Sequence, residues 1–138
     1  MSEPMLTYRG VVYPWQCDHM EHMNVMWYVG KFDEATWQLL ARMGLSPSYL
    51  RQQKRGMVAV EQQISYRHEL RPGAVVAVYS TVLEVRAKVV RFRHEMHNEE
   101  SREVAATTEL TGVHLDTETR KSCAFPVEIL ERLRAAAS

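Results

Sequence analysis

Apolar residues recur along residues 25–43 at steps of mostly three and four positions. That spacing places them on one face of an α-helix and predicts the longest helix of the chain. Asn24 directly precedes the pattern as a plausible N-cap, and Gly44 stands where a glycine commonly ends a helix. A helix with one apolar face needs another element to cover that face.

Most of the remaining chain favours strands. Apolar and polar residues alternate over residues 58–67 and 89–98, and Val, Thr and other strand-forming residues are abundant over 74–86 and 103–115. An earlier strand over residues 6–13 closes at Pro14, and Pro72-Gly73 indicates a turn. A short terminal helix is predicted over residues 126–136, and the AAAS tail at 135–138 is expected to be loose.

The order of these elements predicts the fold class. A strand and a long helix are followed by strands joined through short turns, which favours an α+β domain with a largely antiparallel sheet covering the helix. The chain has 138 residues, so we expect a single domain over residues 1–138.

Charge and cysteine content narrow the possible partners and compartment. The formal net charge is zero, so no overall field favours nucleic acid or an anionic membrane surface. Cys17 and Cys123 show no paired spacing, which suits a reducing compartment. The first residues lack the pattern of a signal peptide, and no apolar stretch approaches the length of a membrane helix. We therefore expect a cytoplasmic protein.

A cluster of polar residues precedes the long helix and carries the candidate chemistry. Asp18 is a loop carboxylate that could act as a nucleophile or as a general base toward water. The free backbone N–H groups near Asn24 and Val25, at the helix start, could stabilise the negative charge that develops on an acyl oxygen. His22 and Asn24 could orient the reactants. A structural interpretation, helix capping by a solvated loop, fits the same residues.

The spacing within this cluster resembles a known signature. The pattern Asp18-x-x-x-His22-Met23-Asn24-x-x-x-Tyr28 is similar to that of hotdog-fold thioesterases, including the 4-hydroxybenzoyl-CoA thioesterase-like family and the acyl-carrier-protein thioesterases. Met23 stands where Val is usual. Downstream segments continue the similarity in the same order: Ile64-Ser65-Tyr66, Leu70-Arg71-Pro72-Gly73, Thr119-Arg120-Lys121 and Phe125-Pro126.

This resemblance implies a hotdog fold, in which an antiparallel sheet wraps around one long central helix. It implies an acyl-CoA thioesterase that uses Asp18 as its catalytic carboxylate and the Val25 N–H to polarise the thioester carbonyl. It also implies edge-to-edge homodimers with active sites at the interface, further pairing into tetramers, and no metal or redox cofactor. Two positions depart from the family: Glu21 replaces the usual Gly, and Gln16 replaces an Asp.

Substrate-binding candidates come from aromatic and charged residues. Trp15, Trp27, Tyr28 and Trp37 could form core or a box that binds a quaternary ammonium by cation–π attraction. The segment around them resembles carnitine-pathway thioesterases that act on betainyl-CoA. Glu61 could face the site from a partner subunit or lie exposed. Basic residues near strand ends could bind the phosphates of CoA or form a solvated face: Arg86, Lys88 and Arg120.

Several alternatives remain open at this point. Cys17 with His19 and His22 could form a nucleophile pair, or Cys17 could be a small buried residue. The spacing of His94 and His97 on a strand places them on opposite faces, which argues against zinc. Two other functions are a hotdog dehydratase or lyase acting on an acyl thioester, and a non-catalytic acyl-CoA-binding module.

Overall fold

The computed structural model describes residues 3–137 and contains one sheet with helices packed against it. The strands are β1 (Met5–Val11), β2 (Arg55–Tyr66), β3 (Val75–Val85), β4 (Val89–Asn98) and β5 (Val104–Asp116). The helices are α1 (Val25–Arg42), α2 (Pro47–Gln53) and α3 (Val127–Ala137), and a short 3-10 turn spans Pro14–Gln16. The α+β class predicted from the pattern is confirmed.

Strand order in the sheet is β1-β3-β4-β5-β2, and each neighbouring pair is antiparallel. Helix α1 contacts β1, β3 and β4 and covers one face of the sheet. Strand β2 is an edge strand that pairs with β5 along its length, and β1 forms the other edge. The long helix is thus the element that the sheet covers, as the amphipathic pattern predicted.

The core lies between α1 and the concave side of the sheet. On β4 the buried positions alternate strictly, which is the pattern of a strand with one face on the core. Apolar side chains from α1 and the sheet form one cluster around Phe32 and Val78, and a second around Leu39 and Phe92 that also includes Leu133 of α3. These contacts hold the start of α1 at a defined place over the sheet.

A chain of buried hydrogen bonds crosses this core. His94 Nδ1 lies 2.6 Å from Ser80 Oγ, and its Nε2 lies 2.8 Å from Thr36 Oγ1. Ser80 Oγ in turn lies 2.7 Å from Thr7 Oγ1. Burial lowers the pKa of His94 to about 3, so the imidazole is neutral in the folded protein at neutral pH. The network joins β1, β3, β4 and α1 with every polar side-chain atom of His94 bonded.

Some boundaries differ from the predicted ones. Helix α1 begins after Asn24, whose side chain accepts the Met26 N–H, and Gly44 follows its end with a φ of 95°, so both predicted ends are confirmed. Strand β1 ends at Val11 because Tyr13 already caps the 3-10 turn. The expectation of a loose tail was wrong for residues 135–137, which continue α3, and Ser138 lies outside the described residues.

Helix α2 was not predicted. Its seven residues are too few to show an apolar period, although Ser46 caps it through the Tyr49 N–H and Pro47 occupies its first turn. Lys54 ends it in the left-handed conformation. Within residues 3–137, no helix has both the length and the apolar character needed to cross a membrane.

Candidate active site

The loop before α1 is closed like a small hairpin. The Asn24 N–H donates to Gln16 O at 2.9 Å, Cys17 and Met23 form a β-bridge, and the Asp18 N–H donates to His22 O at 3.2 Å. The Met23 N–H donates to Leu70 O at 2.7 Å, which ties the loop to the segment between β2 and β3. This pairing places Asp18 beside the first residues of α1.

Asp18 accepts hydrogen bonds on both carboxylate oxygens. Oδ1 accepts the Met20 N–H at 2.9 Å, and Oδ2 accepts from Asn24 Nδ2 at 2.8 Å. The Asn24 hydrogen bond is the largest cause that lowers the pKa of Asp18 below its ordinary value, followed by the bond from Met20. Asp18 is therefore ionised at neutral pH, and each oxygen retains a further lone pair for a substrate or water.

Glu21 occupies the tip of the hairpin in an unusual backbone conformation. The Glu21 N–H donates to Asp18 O at 2.9 Å, and Glu21 has a φ of 68°. A turn followed by one left-handed residue is a common way to close a short hairpin, and glycine is the residue that adopts this φ most easily. The glycine usual in the resembling family thus has a conformational reason, and Glu21 keeps the same turn at a cost in strain.

The start of α1 presents a free donor next to Asp18. Asn24 Oδ1 accepts the Met26 N–H at 2.9 Å, so the predicted N-cap is confirmed. The Val25 N–H has no hydrogen-bond acceptor among residues 3–137. Together with the positive end of the helix dipole, this N–H can stabilise a developing oxyanion.

A cleft of about 190 Å³ opens at the helix start. It reaches His22 and Val25 but not Asp18. Tyr28 is buried in its wall, and the Tyr28 hydroxyl donates to His68 O at 3.3 Å. Burial, and secondarily the charge of Glu69, raises the pKa of Tyr28 to about 12. The lining residues are His22, Met23, Val25, Tyr28, Tyr66, Arg67, His68 and Glu69.

Tyr66 and Glu69 line this cleft and were not among the sequence-derived site candidates. Tyr66 meets Tyr28 edge to face, with ring centroids 5.1 Å apart, and Glu69 Oε1 lies 3.5 Å from His22 Nε2. Both belong to the end of β2 and the turn after it, about forty residues from the helix start. Tyr66 lay within a segment that resembles the thioesterase family, but nothing in that segment indicated contact with Tyr28.

The three tryptophans do not form an aromatic box at this cleft, and Trp27 instead follows the core alternative. Trp15 is 68% exposed and stacks on Tyr13 at a centroid distance of 4.4 Å. Trp27 packs against the core cluster around Phe32. Trp37 lines a separate cleft between α1 and β2. Helical spacing alone does not bring these rings to one place. Of the four aromatic residues considered from the sequence, Tyr28 is the one that lines the cleft at Val25.

The candidate CoA-binding residues lie at the opposite end of the sheet from Asp18. Arg86 and Lys88 belong to the turn between β3 and β4, and Arg120 follows β5 at the same end. Arg86 is ion-paired with Glu84 at 2.7 Å. The side chains of Lys88 and Arg120 have no ion-pair partner among residues 3–137.

The other candidate groups are also placed. Glu61 is exposed and lies opposite Thr111 of β5. Cys17 Sγ contacts Tyr13 O at 3.7 Å rather than a histidine. His94 is buried, whereas His97 on the other face pairs with Glu95. Within residues 3–137 no group of three His, Cys, Asp or Glu side chains is arranged to hold a metal ion.

Comparison with known proteins defines the class of this molecule. A family model described as the thioesterase-like superfamily matches residues 12–133. An antiparallel sheet wrapped around one long helix, matched over this range, is the hotdog fold of thioester hydrolases. The chain belongs to the thioesterase-like superfamily. This membership favours hydrolysis over a lyase or a non-catalytic binding module.

Individual relatives agree with this class. The chain is 27% identical to a betainyl-CoA thioesterase of Pseudomonas aeruginosa over 137 residues, which are 99% of this chain and 86% of that protein. It is 30% identical over 116 residues, 84% of this chain, to an L-carnitine dehydrogenase/betainyl-CoA thioesterase of Agrobacterium fabrum, and the match spans 24% of that longer protein. A Staphylococcus aureus protein solved in complex with CoA has the same fold, with a TM-score of 0.92 at 20% identity, covering 99% of this chain and 85% of that one.

Proposed function

We propose that this protein hydrolyses a small acyl-CoA thioester to the free acid and CoA, with betainyl-CoA as the leading candidate substrate. The observation that carries the proposal is the position of an ionised carboxylate, Asp18, beside the free Val25 N–H at the start of α1. The names of the two curated relatives support the acyl group. The cleft is small relative to the roughly 300–1,000 Å³ of pockets for drug-sized ligands, which suits a short acyl chain.

In this proposal the thioester carbonyl oxygen lies against the Val25 N–H, the Asp18 carboxylate faces the carbonyl carbon, and the acyl group extends into the cleft. Two routes are open to Asp18. As a nucleophile it forms a mixed anhydride and releases the CoA thiolate, and water then cleaves the anhydride. As a general base it takes a proton from water while the hydroxide attacks. Both routes end with the free acid and a protonated thiol.

His22 and Asn24 have supporting roles. Asn24 holds Asp18 and caps the helix at once, so it orients the carboxylate relative to the oxyanion donor. His22 borders the cleft next to Val25, where its ring can contact the thioester or a water. Tyr28 forms the inner wall against which the acyl group rests. Trp15 and Glu61 do not line this cleft, so any contact of theirs is with a part of the substrate outside it or with a substrate bound by another chain.

We also propose that two chains pair through β2. Strand β2 is twelve residues long, its outer edge has no strand partner among residues 3–137, and Val58 and Val60 on it are exposed. Long exposed edges of this kind are normally covered. Antiparallel pairing of two β2 strands about a two-fold axis would bring the Arg55 end of one strand beside the Tyr66 end of the other. Arg120 of the partner subunit would then lie near the cleft, where the phosphates of CoA could meet it.

The test is free-thiol release from a panel of aromatic, short aliphatic, medium-chain and betainyl thioesters of CoA. We expect release from the betainyl substrate, and a loss of at least about a hundredfold in kcat/KM in Asp18→Asn. Asp33→Asn is the matched control, because Asp33 is another exposed carboxylate but lies on α1, outside the loop of Asp18 and outside the cleft at Val25. Wild-type turnover in Asp18→Asn would remove Asp18 from the mechanism, and no release from any thioester would refute hydrolysis.

The two routes of Asp18 can be separated in a single turnover with enzyme in excess, run in heavy-oxygen water. If water cleaves the anhydride at the Asp18 carbonyl carbon, a light oxygen of Asp18 leaves with the first acid product and the heavy isotope enters the enzyme. Heavy isotope in Asp18, read by mass spectrometry of the protein, therefore establishes the nucleophilic route. Heavy isotope in the acid alone is the result of general-base attack or of water attack at the acyl carbon of the anhydride, and rapid-quench detection of an acylated enzyme separates these two.

A further inference from the structure

We infer that Tyr66 and Glu69 form the specificity-determining pair of the site and select an acyl group with a quaternary ammonium next to its carbonyl. The inference rests on the proposed function and deepens it. Neither residue is expected from the sequence to contact substrate, and the tryptophans that the aromatic pattern suggested for this role lie elsewhere. The argument follows from the length of the acyl group, the shape of the cleft and its charges.

The length of a betainyl group restricts where its charge can be recognised. One methylene separates the ammonium nitrogen from the carbonyl carbon, so the two atoms are about 2.5 Å apart, by the same bond lengths and angle as in a backbone residue. When the carbonyl oxygen binds the Val25 N–H, the ammonium must therefore lie within the cleft that Val25 borders. The separate cleft containing Trp37 lies near Asp33, about two helical turns further along α1, which is about 12 Å at the rise of an α-helix.

Aromatic rings form one corner of the cleft at Val25. Tyr66 is 47% exposed and meets Tyr28 at an interplanar angle of 87°. Tyr28 is only 4% exposed, and its hydroxyl is bonded to His68 O, so it supports Tyr66 from behind. A trimethylammonium has no N–H to donate and is attracted instead to aromatic faces. Tyr66 thus offers the accessible ring, and Tyr28 fixes its orientation.

Glu69 supplies the negative charge on the adjacent wall. Its carboxylate borders the same cleft, and its exposed side chain contacts His22 Nε2 at 3.5 Å. Of the neighbouring positive groups, His68 pairs with Glu103 at 3.4 Å, whereas Arg67 has no ion pair among residues 3–137 and lines both this cleft and a second groove that contains Glu109. An aromatic ring and a carboxylate on adjoining walls attract a positive charge, so together they distinguish a quaternary ammonium from a neutral group of the same shape.

The experiment compares two substrates that differ only in this charge. Betainyl-CoA and its neutral carbon isostere, tert-butylacetyl-CoA, have nearly the same size. The ammonium also makes the betainyl thioester intrinsically more reactive, so recognition is reported by the change in the ratio of their kcat/KM values between variants, in which that reactivity cancels. We expect the wild type to prefer betainyl-CoA and Glu69→Gln or Tyr66→Leu to lower the ratio about tenfold, the size of a desolvated cation–π or ion contact. Tyr66→Phe retains the ring and is expected to retain the ratio.

Glu100→Gln is the matched control, because Glu100 is an exposed acid at the same end of the sheet but does not line the cleft. Thermal unfolding confirms that each variant is folded, and Glu69→Gln changes only an exposed side chain. A wild-type ratio near one, or a ratio that Glu69→Gln and Tyr66→Leu leave unchanged, overturns the inference. Thiol release that is lost in Asp18→Asn would still support the proposed function in that case. No release from any acyl-CoA overturns both.

Discussion

The side chain of Asn24 binds the start of α1 and the Asp18 carboxylate at the same time. Its Oδ1 accepts the Met26 N–H at 2.9 Å, and its Nδ2 donates to Asp18 Oδ2 at 2.8 Å. The amide therefore fixes the distance between the carboxylate and the free donor of the helix. It is also the largest cause of the lowered pKa of Asp18, so position and ionisation are controlled by one residue.

Replacing Asn24 with Ala should shift the acid limb of kcat/KM to higher pH. Because the pKa of Asp18 is lowered in the folded protein, the carboxylate stays ionised at pH values below its ordinary pKa. Activity is therefore lost only as the pH falls through the lowered pKa. Without Asn24 that pKa returns toward the ordinary value of 3.8. Loss of the cap should also cost about 1 kcal/mol of stability. The measurement is a pH profile of thiol release from about pH 7 downward.

Ser46→Ala is the control for Asn24→Ala. Ser46 caps α2 through the Tyr49 N–H at 3.2 Å, so its removal should cost similar stability without moving the acid limb. An Asn24→Ala profile that overlays that of Ser46→Ala would show that Asn24 does not set the ionisation of Asp18.

Glu21→Gly should stabilise the protein by about 1 kcal/mol, because Glu21 has a φ of 68° and glycine adopts that conformation without a steric penalty. Thermal or urea unfolding measures the change. His19→Gly in the same turn adds the same flexibility to the unfolded chain but relieves no positive φ. It should therefore be neutral or destabilising. Equal effects of the two substitutions would contradict the strain assigned to Glu21.

Stability should fall as pH drops below about 6.5, in part through His94. Its folded-state pKa is lowered to about 3 by burial, whereas the unfolded chain binds a proton near 6.5. The contribution of neutral His94 to stability is fully present at pH values above the pKa of the unfolded chain. It is lost as the pH falls from about 6.5 to about 3, by up to about 1.4 kcal/mol per pH unit. His94→Gln should lower stability at neutral pH and flatten the pH dependence of urea unfolding. His97→Gln, on the other face of β4, should leave the slope intact.

Val60→Asp should convert a dimer to monomers. Val60 is 61% exposed at the middle of β2, where a two-fold axis between paired β2 strands would pass, so the substitution places two carboxylates close together. Light scattering after gel filtration gives the mass, and thiol release should fall with it. Val127→Asp, at a 66% exposed position on α3, is the control that should keep the dimer. A wild-type monomer would refute pairing through β2.

Arg120→Ala should raise KM for the acyl-CoA about fivefold and leave KM for the matching N-acetylcysteamine thioester unchanged. The reason is that Arg120 is proposed to bind the phosphates of CoA across the dimer, and the short thiol has no phosphates. Arg134→Ala removes another exposed arginine, on α3, and should change neither value. Parallel increases for both thioesters would show that Arg120 does not recognise the nucleotide.

Much of the secondary structure follows from local rules. Strand β4 begins and ends at the predicted residues, and α1 begins after the predicted cap, because alternation and capping depend on residues at most four positions apart. Helix α2 escaped prediction because a seven-residue helix is too short to show a period. The tail at 135–137 is helical because Ile129 and Leu133 of α3 pack into the core, and the helix continues through the turn that follows them.

The candidate site likewise has one part that follows from local sequence and one part that does not. Sequence proximity places Asp18, Asn24 and Val25 in one eight-residue segment that leads into a helix, and the hairpin pairing of that segment brings the Asp18 carboxylate to Asn24. That Tyr66 and Glu69 border Val25, and that Trp15 and Trp37 do not line that cleft, depends on how distant segments pack in the fold. The packing of α1 against a sheet of five strands places those residues. The free energy of that packing is a sum over contacts between residues far apart in the sequence, and a local sequence pattern does not contain those contacts.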